Sequence, residues 1–146
     1  PKREETTCCE VMNFLLDTNV VSELTKQQID PNVEAWLSKH PSSSYYLSVI
    51  TVGELTNGVE RLAEGKKKTA LSHWLNSELP HFFSGRLLSV NYEVSQTWGR
   101  LLASKVRPGS EIDGLLAATA LTFDLTLVTR NTKDFPYKEL RLHNPW

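Results

Sequence analysis

A chain of 146 residues with 40% hydrophobic and 23% charged side chains has the make-up of an ordinary globular protein with material for one core. Its formal net charge of −1 excludes a globally basic nucleic-acid binder, so a polyanion would have to be held by a local patch. Both cysteines, Cys8 and Cys9, precede Met12, which rules out a disulfide framework or thiolate metal site from Met12 onward, and no apolar run approaches a membrane span.

Met12 is the single methionine and reads as the natural start. Residues 1–11 are then a leader or upstream remnant, expected to be disordered, and residues 12–146 a single domain. The leader has no apolar stretch after Lys2 and Arg3, so it does not read as a signal peptide, and the expected compartment is the cytosol.

Strand and helix patterns alternate from there. Phe14 to Leu16 is a short apolar strand, closed by Asp17. Asp30 with Pro31 opens a helix through Trp36 and Leu37. Tyr45 to Leu47 is a second strand. Leu55, Val59 and Leu62 share one face of a helix from about Val52 to Ala63, with Gly65 as its stop. A helix from Thr69 to Leu79 should end at Pro80. Leu87 to Val90 is a third strand. Val94, Trp98, Leu101 and Leu102 keep helical spacing, Pro108 and Gly109 break the chain, and Ser110 caps a helix from Glu111 to about Phe123. Leu125 to Val128 is a fourth strand, and a short last strand falls near Leu140 to Leu142. Strands separated by helices imply an α/β fold with a mostly parallel sheet covered on both faces.

Ligands of such sheets bind beyond the carboxyl ends of the strands, where strand order reverses. Asp17 and Asn131 follow apolar strands, and Glu54 and Asp113 fall in what read as first helical turns. Carboxylates converging from distant positions suit a divalent cation, because Mg²⁺ takes oxygen ligands at about 2.0–2.1 Å and keeps several waters. Each residue also has a plainer reading. Asp17 could cap the helix that starts near Val20. Thr51 with Glu54, and Ser110 with Asp113, fit capping boxes. Asn131 and Asp134 could be turn residues. Gly114, Ala117 and Ala118 would let the helix of Asp113 approach the sheet.

Taken in order, FLLDTN, SVITVGEL, DGLLAATAL and LVTRNTKDF resemble the motif series of PIN-domain ribonucleases, in particular the VapC toxins of bacterial toxin–antitoxin systems. The stretch SVITVGELTNGVERL, Lys66 to Lys68 and the segment Asn144-Pro145-Trp146 are similar to the FitB-like subgroup. The resemblance spans Met12 to Trp146. It implies a three-layer sandwich with sheet order 3-2-1-4-5. It implies metal ligation by Asp17, Glu54 and Asp113, with Asn131 where many members carry a fourth acid, and with Thr18, Thr129 and Asp134 in support. It implies a Mg²⁺-dependent or Mn²⁺-dependent endoribonuclease that uses a metal-activated water on single-stranded or structured RNA, such as a transfer-RNA anticodon loop. The implied partners are RNA, a small DNA-binding antitoxin and a second copy of the chain. Arg61, Lys66, Lys67 and Lys68 are candidate RNA contacts, or a solvated helix end. The four histidines show no ligand spacing. A partner-binding domain without activity is the second reading, resting on the amide at Asn131. A phosphotransferase of the haloacid-dehalogenase type would need an acid where Asn19 stands.

Overall fold

The computed structural model describes residues 12–146, so the leader expected over residues 1–11 lies outside the described residues. Among the described residues five short strands form one sheet: β1 Phe14–Leu16, β2 Tyr45–Ser48, β3 Leu87–Leu88, β4 Thr126–Val128 and β5 Leu142–His143. Every pairing is parallel and the order is β3-β2-β1-β4-β5. This is the order the resemblance implies, and the sheet is wholly parallel rather than mostly so.

Parallel neighbours need long crossovers, and helices supply most of them. Helices α1 Thr18–Glu23 and α2 Pro31–Ser38 lie between β1 and β2. Helices α3 Val49–Glu60, α4 Lys66–His73 and α5 Leu79–Phe82 lie between β2 and β3. Helices α6 Tyr92–Ala103 and α7 Glu111–Thr122 lead to β4.

Side chains alternate across the sheet with the period of two that strand geometry imposes. Phe14, Leu16, Tyr45, Leu47 and Val128 join one core with Val20, Leu55, Val59, Leu75 and Phe83. Leu15 and Leu127 join the other with Leu116, Ala117, Ala120, Phe135 and Leu140. Strands buried on both faces are why these runs are uniformly apolar and why they end where water begins.

Local chemistry sets the helix starts, and several differ from expectation. Asp30 caps α2 with Pro31 in the first turn, accepting from Asn32 N at 2.8 Å, as the sequence predicts. Helix α3 begins at Val49, three residues before the predicted start. Ser48 closes β2 and its Oγ accepts from Ile50 N at 3.1 Å, so strand passes into helix without a loop. Thr51 is therefore inside the helix, its buried Oγ1 unpartnered, and the Thr51–Glu54 capping box does not form. Glu54 stands in the second turn rather than the first.

Helix α3 stops at Glu60, and α4 starts at Lys66 instead of Thr69. Pro80 does not end the helical run. Trp74–Glu78 is a wide π turn, with the Leu79 N–H reaching the Trp74 carbonyl, and α5 continues to Phe82. Proline has no N–H and crowds the preceding turn, and an enlarged turn relieves both problems. Gly85, at φ 76°, then turns the chain into β3. Strand β3 has two residues, not four, and β5 falls at Leu142–His143 because Leu140 N closes a turn onto the Tyr137 carbonyl at 3.2 Å.

Ser110 caps α7, its Oγ accepting from Asp113 N at 3.2 Å. The small residues of this helix divide their roles. Ala117 packs with Leu15 and Leu127 of the sheet. A Cβ on Gly114 would instead lie 3.5 Å from both Trp98 and Pro108, so this position serves the contact with α6.

Candidate active site

The sheet reverses its order at β1, which has β2 on one side and β4 on the other. Asp17 leaves the end of β1, its N–H bonded to the Val128 carbonyl at 2.9 Å. Thr129, Arg130 and Asn131 leave the end of β4. A cleft of about 450 Å³ opens there, lined among others by Asp17, Thr18, Asn19, Glu54, Asp113 and Asn131. The four polar islands of the sequence thus meet at one place.

Each side chain is held by its neighbours. Asp17 caps α1: its Oδ1 accepts from Thr18 N at 2.7 Å, so the capping reading and the cleft reading both apply. Its Oδ2 accepts from Thr129 Oγ1 at 2.8 Å and from Asn19 Nδ2 at 3.4 Å. Thr18 Oγ1 donates to Glu54 Oε1 at 2.6 Å, tying α1 to α3. Thr18 and Thr129 therefore each orient an acid. Asn131 lines the cleft, and its N–H donates to Thr129 Oγ1 at 3.1 Å.

Asp134 does not line the cleft but is near enough for its charge to act on Asp17 and Asp113. Its carbonyl accepts from Gly109 N at 2.9 Å. A Cβ on Gly109 would lie 2.6 Å from the Asp134 carboxyl carbon, so a side chain at position 109 would collide with that of Asp134.

The electrostatics follow from crowding acids in a half-closed space. Burial pushes the Asp17 carboxyl above its usual range, and the charges of Glu54 and Asp134 add to this, against hydrogen bonds from Thr129 and Thr18. Asp113 is raised too, by burial first and then by Asp17 and Asp134, against hydrogen bonds from Ser110. A bound cation would remove this penalty. The donors are all hard oxygens, the set that suits Mg²⁺ or Mn²⁺. Among the described residues no three His, Cys, Asp or Glu side chains close around one point by themselves.

The predicted basic cluster divides. Arg61 Nε donates to Asn57 Oδ1 at 3.2 Å, and Lys68 pairs with Glu64 at 2.9 Å; neither lines the cleft. Lys66 and Lys67 line a second groove with Thr25, Lys26 and Gln27, and Lys26 is shared with the acidic cleft. The sequence reading also passed over Asn19, Glu23, Lys26, Arg130 and Trp146, all of which line the cleft. Arg130 lies inside the LVTRNTKDF island, so its position beside Asn131 was the available signal. His40 and His143, scattered in sequence, both pack on Trp36, at 5.0 and 5.1 Å between ring centres.

With the fold and cleft in place, comparison with known proteins is direct. The PIN domain model matches residues 14–139. The chain belongs to the PIN domain family. It is 39% identical over 136 residues to Toxin FitB of Neisseria gonorrhoeae, covering 91% of this chain and 98% of that protein. It is 36% identical over 136 residues to VapC ribonuclease Y4jK of Sinorhizobium fredii, covering 91% and 97%. The crystal structure of FitAcB from Neisseria gonorrhoeae superposes with a TM-score of 0.84 at 37% identity, covering 91% of this chain and 98% of that one.

Proposed function

We propose that this chain is the toxin of a toxin–antitoxin pair, a metal-dependent endoribonuclease whose active site is the cleft around Asp17. The observation that carries the reading is the convergence of Asp17, Glu54 and Asp113 at the switch point of the sheet, from three elements far apart in sequence. The relatives named as a toxin and as a ribonuclease support it over nearly the whole chain.

Asp17, Glu54 and Asp113 would hold the ion, directly or through its waters, with Asn131 as a neutral oxygen donor at the rim. Bound Mg²⁺ or Mn²⁺ supplies a water of lowered pKa and offsets charge on the phosphodiester. Thr129 and Thr18 fix the rotamers of Asp17 and Glu54, and Ser110 caps the helical turn that carries Asp113. The open cleft receives a single-stranded or looped RNA, whose backbone and unstacked bases are both reachable. Hydrolysis leaves a 5′-phosphate and a 3′-hydroxyl. A transfer-RNA anticodon loop is the substrate we favour. A DNA-binding antitoxin holds the toxin in check, the active species is a homodimer, and the site of action is the cytoplasm. No helix among the described residues is long and apolar enough to cross a membrane.

The test is cleavage of transfer RNA with Mg²⁺ or Mn²⁺, with and without EDTA, by the wild type and by Asp113→Asn. Cleavage that needs metal and is lost in Asp113→Asn supports the reading. Undiminished cleavage in EDTA, or 2′,3′-cyclic phosphate ends, overturns it. A chain that binds its antitoxin but never cleaves RNA would be the inactive binding module instead.

A further inference from the structure

Among the acids of the cleft stands one guanidinium that none of them neutralises. The ion pairs of the described residues are Lys26–Glu23, Lys68–Glu64 and Arg141–Asp124, so among the described residues no carboxylate lies within 4.0 Å of Arg130. Its guanidinium carbon lies over the Trp146 ring, 5.3 Å from the centroid. The backbone is pinned on both sides. Arg130 N donates to Asn19 Oδ1 at 3.3 Å, and the Arg130 carbonyl accepts from Asn144 Nδ2 at 3.4 Å. The same Asn144 side chain, through Oδ1, accepts from Trp146 N at 3.0 Å. Asn144 therefore sets the arginine and the ring that carries it together.

We infer that Arg130, steadied over Trp146, is the group that seizes a phosphate of the RNA beside the acidic centre, and that Trp146 is its positioning residue. This rests on the ribonuclease reading. An acid-lined cleft repels a polyanion until cations offset it, and a fixed arginine at its edge supplies attraction where it is needed. A guanidinium offers a planar fork of donors that matches two phosphate oxygens. Stacking on an aromatic ring holds the cation without using its N–H groups, which an ion pair with a carboxylate would occupy. Asn19 links the Arg130 backbone to Asp17, so the arginine keeps a fixed relation to the acid centre. Glu23 is the one acid on which Arg130 acts structurally: its carboxyl is kept ionised first by Lys26 and the Asp30 N–H, and only last by the charge of Arg130.

The experiment compares binding of bulk transfer RNA, across a salt series, by four proteins that all carry Asp17→Asn so that the RNA stays whole. They are the parent, Arg130→Ala, Arg130→Lys and Trp146→Phe. One lost phosphate contact should flatten the plot of log affinity against log salt by roughly 0.7. Arg130→Ala should show that flattening and bind about tenfold more weakly at low salt. Arg130→Lys should keep the slope, because the charge remains, and Trp146→Phe should keep both slope and affinity. In otherwise wild-type protein, Arg130→Ala and Trp146→Ala should raise KM more than they lower kcat. An unchanged salt slope in Arg130→Ala overturns the inference while ribonuclease activity of the wild type stands. Equal losses in Arg130→Ala and Arg130→Lys, tracking a fall in melting temperature, assign Arg130 to folding and overturn it too. A wild type that cleaves no RNA removes both readings at once.

Discussion

Thr129 Oγ1 donates to Asp17 Oδ2 at 2.8 Å, joining the ends of two adjacent strands across 112 positions of sequence. The same hydroxyl accepts from Asn131 N at 3.1 Å and from Asn19 Nδ2 at 3.3 Å. A hydroxyl has one hydrogen and two lone pairs, so Thr129 is saturated. One fully buried side chain sets the positions of three cleft residues.

Thr129→Val should therefore leave buried polar groups unpaired and cost about 1–3 kcal/mol of stability. It should also raise the Asp17 carboxyl further, because a hydrogen bond that favours its charged form is gone. The acidic limb of the pH–rate profile should then move to higher pH. Thr129→Ser should restore both quantities. Denaturant melts and a pH–rate profile check this, and an unmoved limb in Thr129→Val would separate Thr129 from the reacting group.

Asp17→Asn should abolish RNA cleavage and leave the chain folded. The pH dependence of stability carries a second signature. Asp17 is raised in the folded protein, so in chelator the folded state holds its proton more tightly than the unfolded chain does. Stability is then fullest below the ordinary aspartate range and falls as pH rises through the raised value. Asp17→Asn should flatten that fall, and so should saturating Mg²⁺ on the wild type. Urea melts from pH 3 to pH 7, roughly spanning the carboxylate range, provide the measurement; a fall of equal size in Asp17→Asn would contradict it.

Gly109→Ala places a methyl group 2.6 Å from the Asp134 carboxyl carbon. One of the two segments must move, and overpacking of this kind costs about 1–3 kcal/mol. Gly109 precedes Ser110, the cap of α7, so a shift here should reach the first turn, where Asp113 stands. Activity should fall along with stability. Gly99→Ala, with open space around its added Cβ inside α6, is the control: it should leave activity unchanged and raise stability slightly, by about 0.5–1 kcal/mol. Melting temperature and cleavage rate on the two variants decide it.

Asn131 and Asp134 compete for the part of a fourth ligand. Asn131 lines the cleft, whereas Asp134 acts on Asp17 and Asp113 through its charge. Asn131→Asp should tighten Mg²⁺ by about tenfold, since unit charges a few ångströms apart near a surface interact by roughly 4 kcal/mol before desolvation. Asn131→Ala should weaken binding less than Asp113→Ala does. Calorimetric titration of each variant reads this directly. Loss of binding in Asp134→Ala, with no change in Asn131→Asp, would transfer the role to Asp134.

Much of the architecture was legible because it is written in local chemistry. Short apolar runs such as Phe14–Leu16, closed by a polar residue, suit buried strands, and Asp30-Pro31 and Ser110 are favoured helix starts. The sheet order and the gathering of the acids came from the motif series, since no single island specifies its neighbours in space. The misread boundaries have particular causes. Ser48 and Thr51 are both capable caps, and only β2 ending at Ser48 decides between them. Pro80 is a helix breaker by rule, and the wide turn before it depends on packing of Leu75 and Leu79 that sequence does not display. The pairing of Arg130 with Trp146 was out of reach for the same reason. It depends on how β5 brings Asn144 alongside the end of β4.

The two border strands of the sheet, β3 and β5, are each two residues long. A border strand is where an unpaired row of amides and carbonyls can recruit a foreign strand, and a long flat one is a template for aggregation. Here that row is too short to guide another chain into register. Open-ended growth of the sheet is thereby disfavoured, and the large apolar side chains left exposed at Tyr92, Leu102 and Ile112 stand on helices α6 and α7 instead.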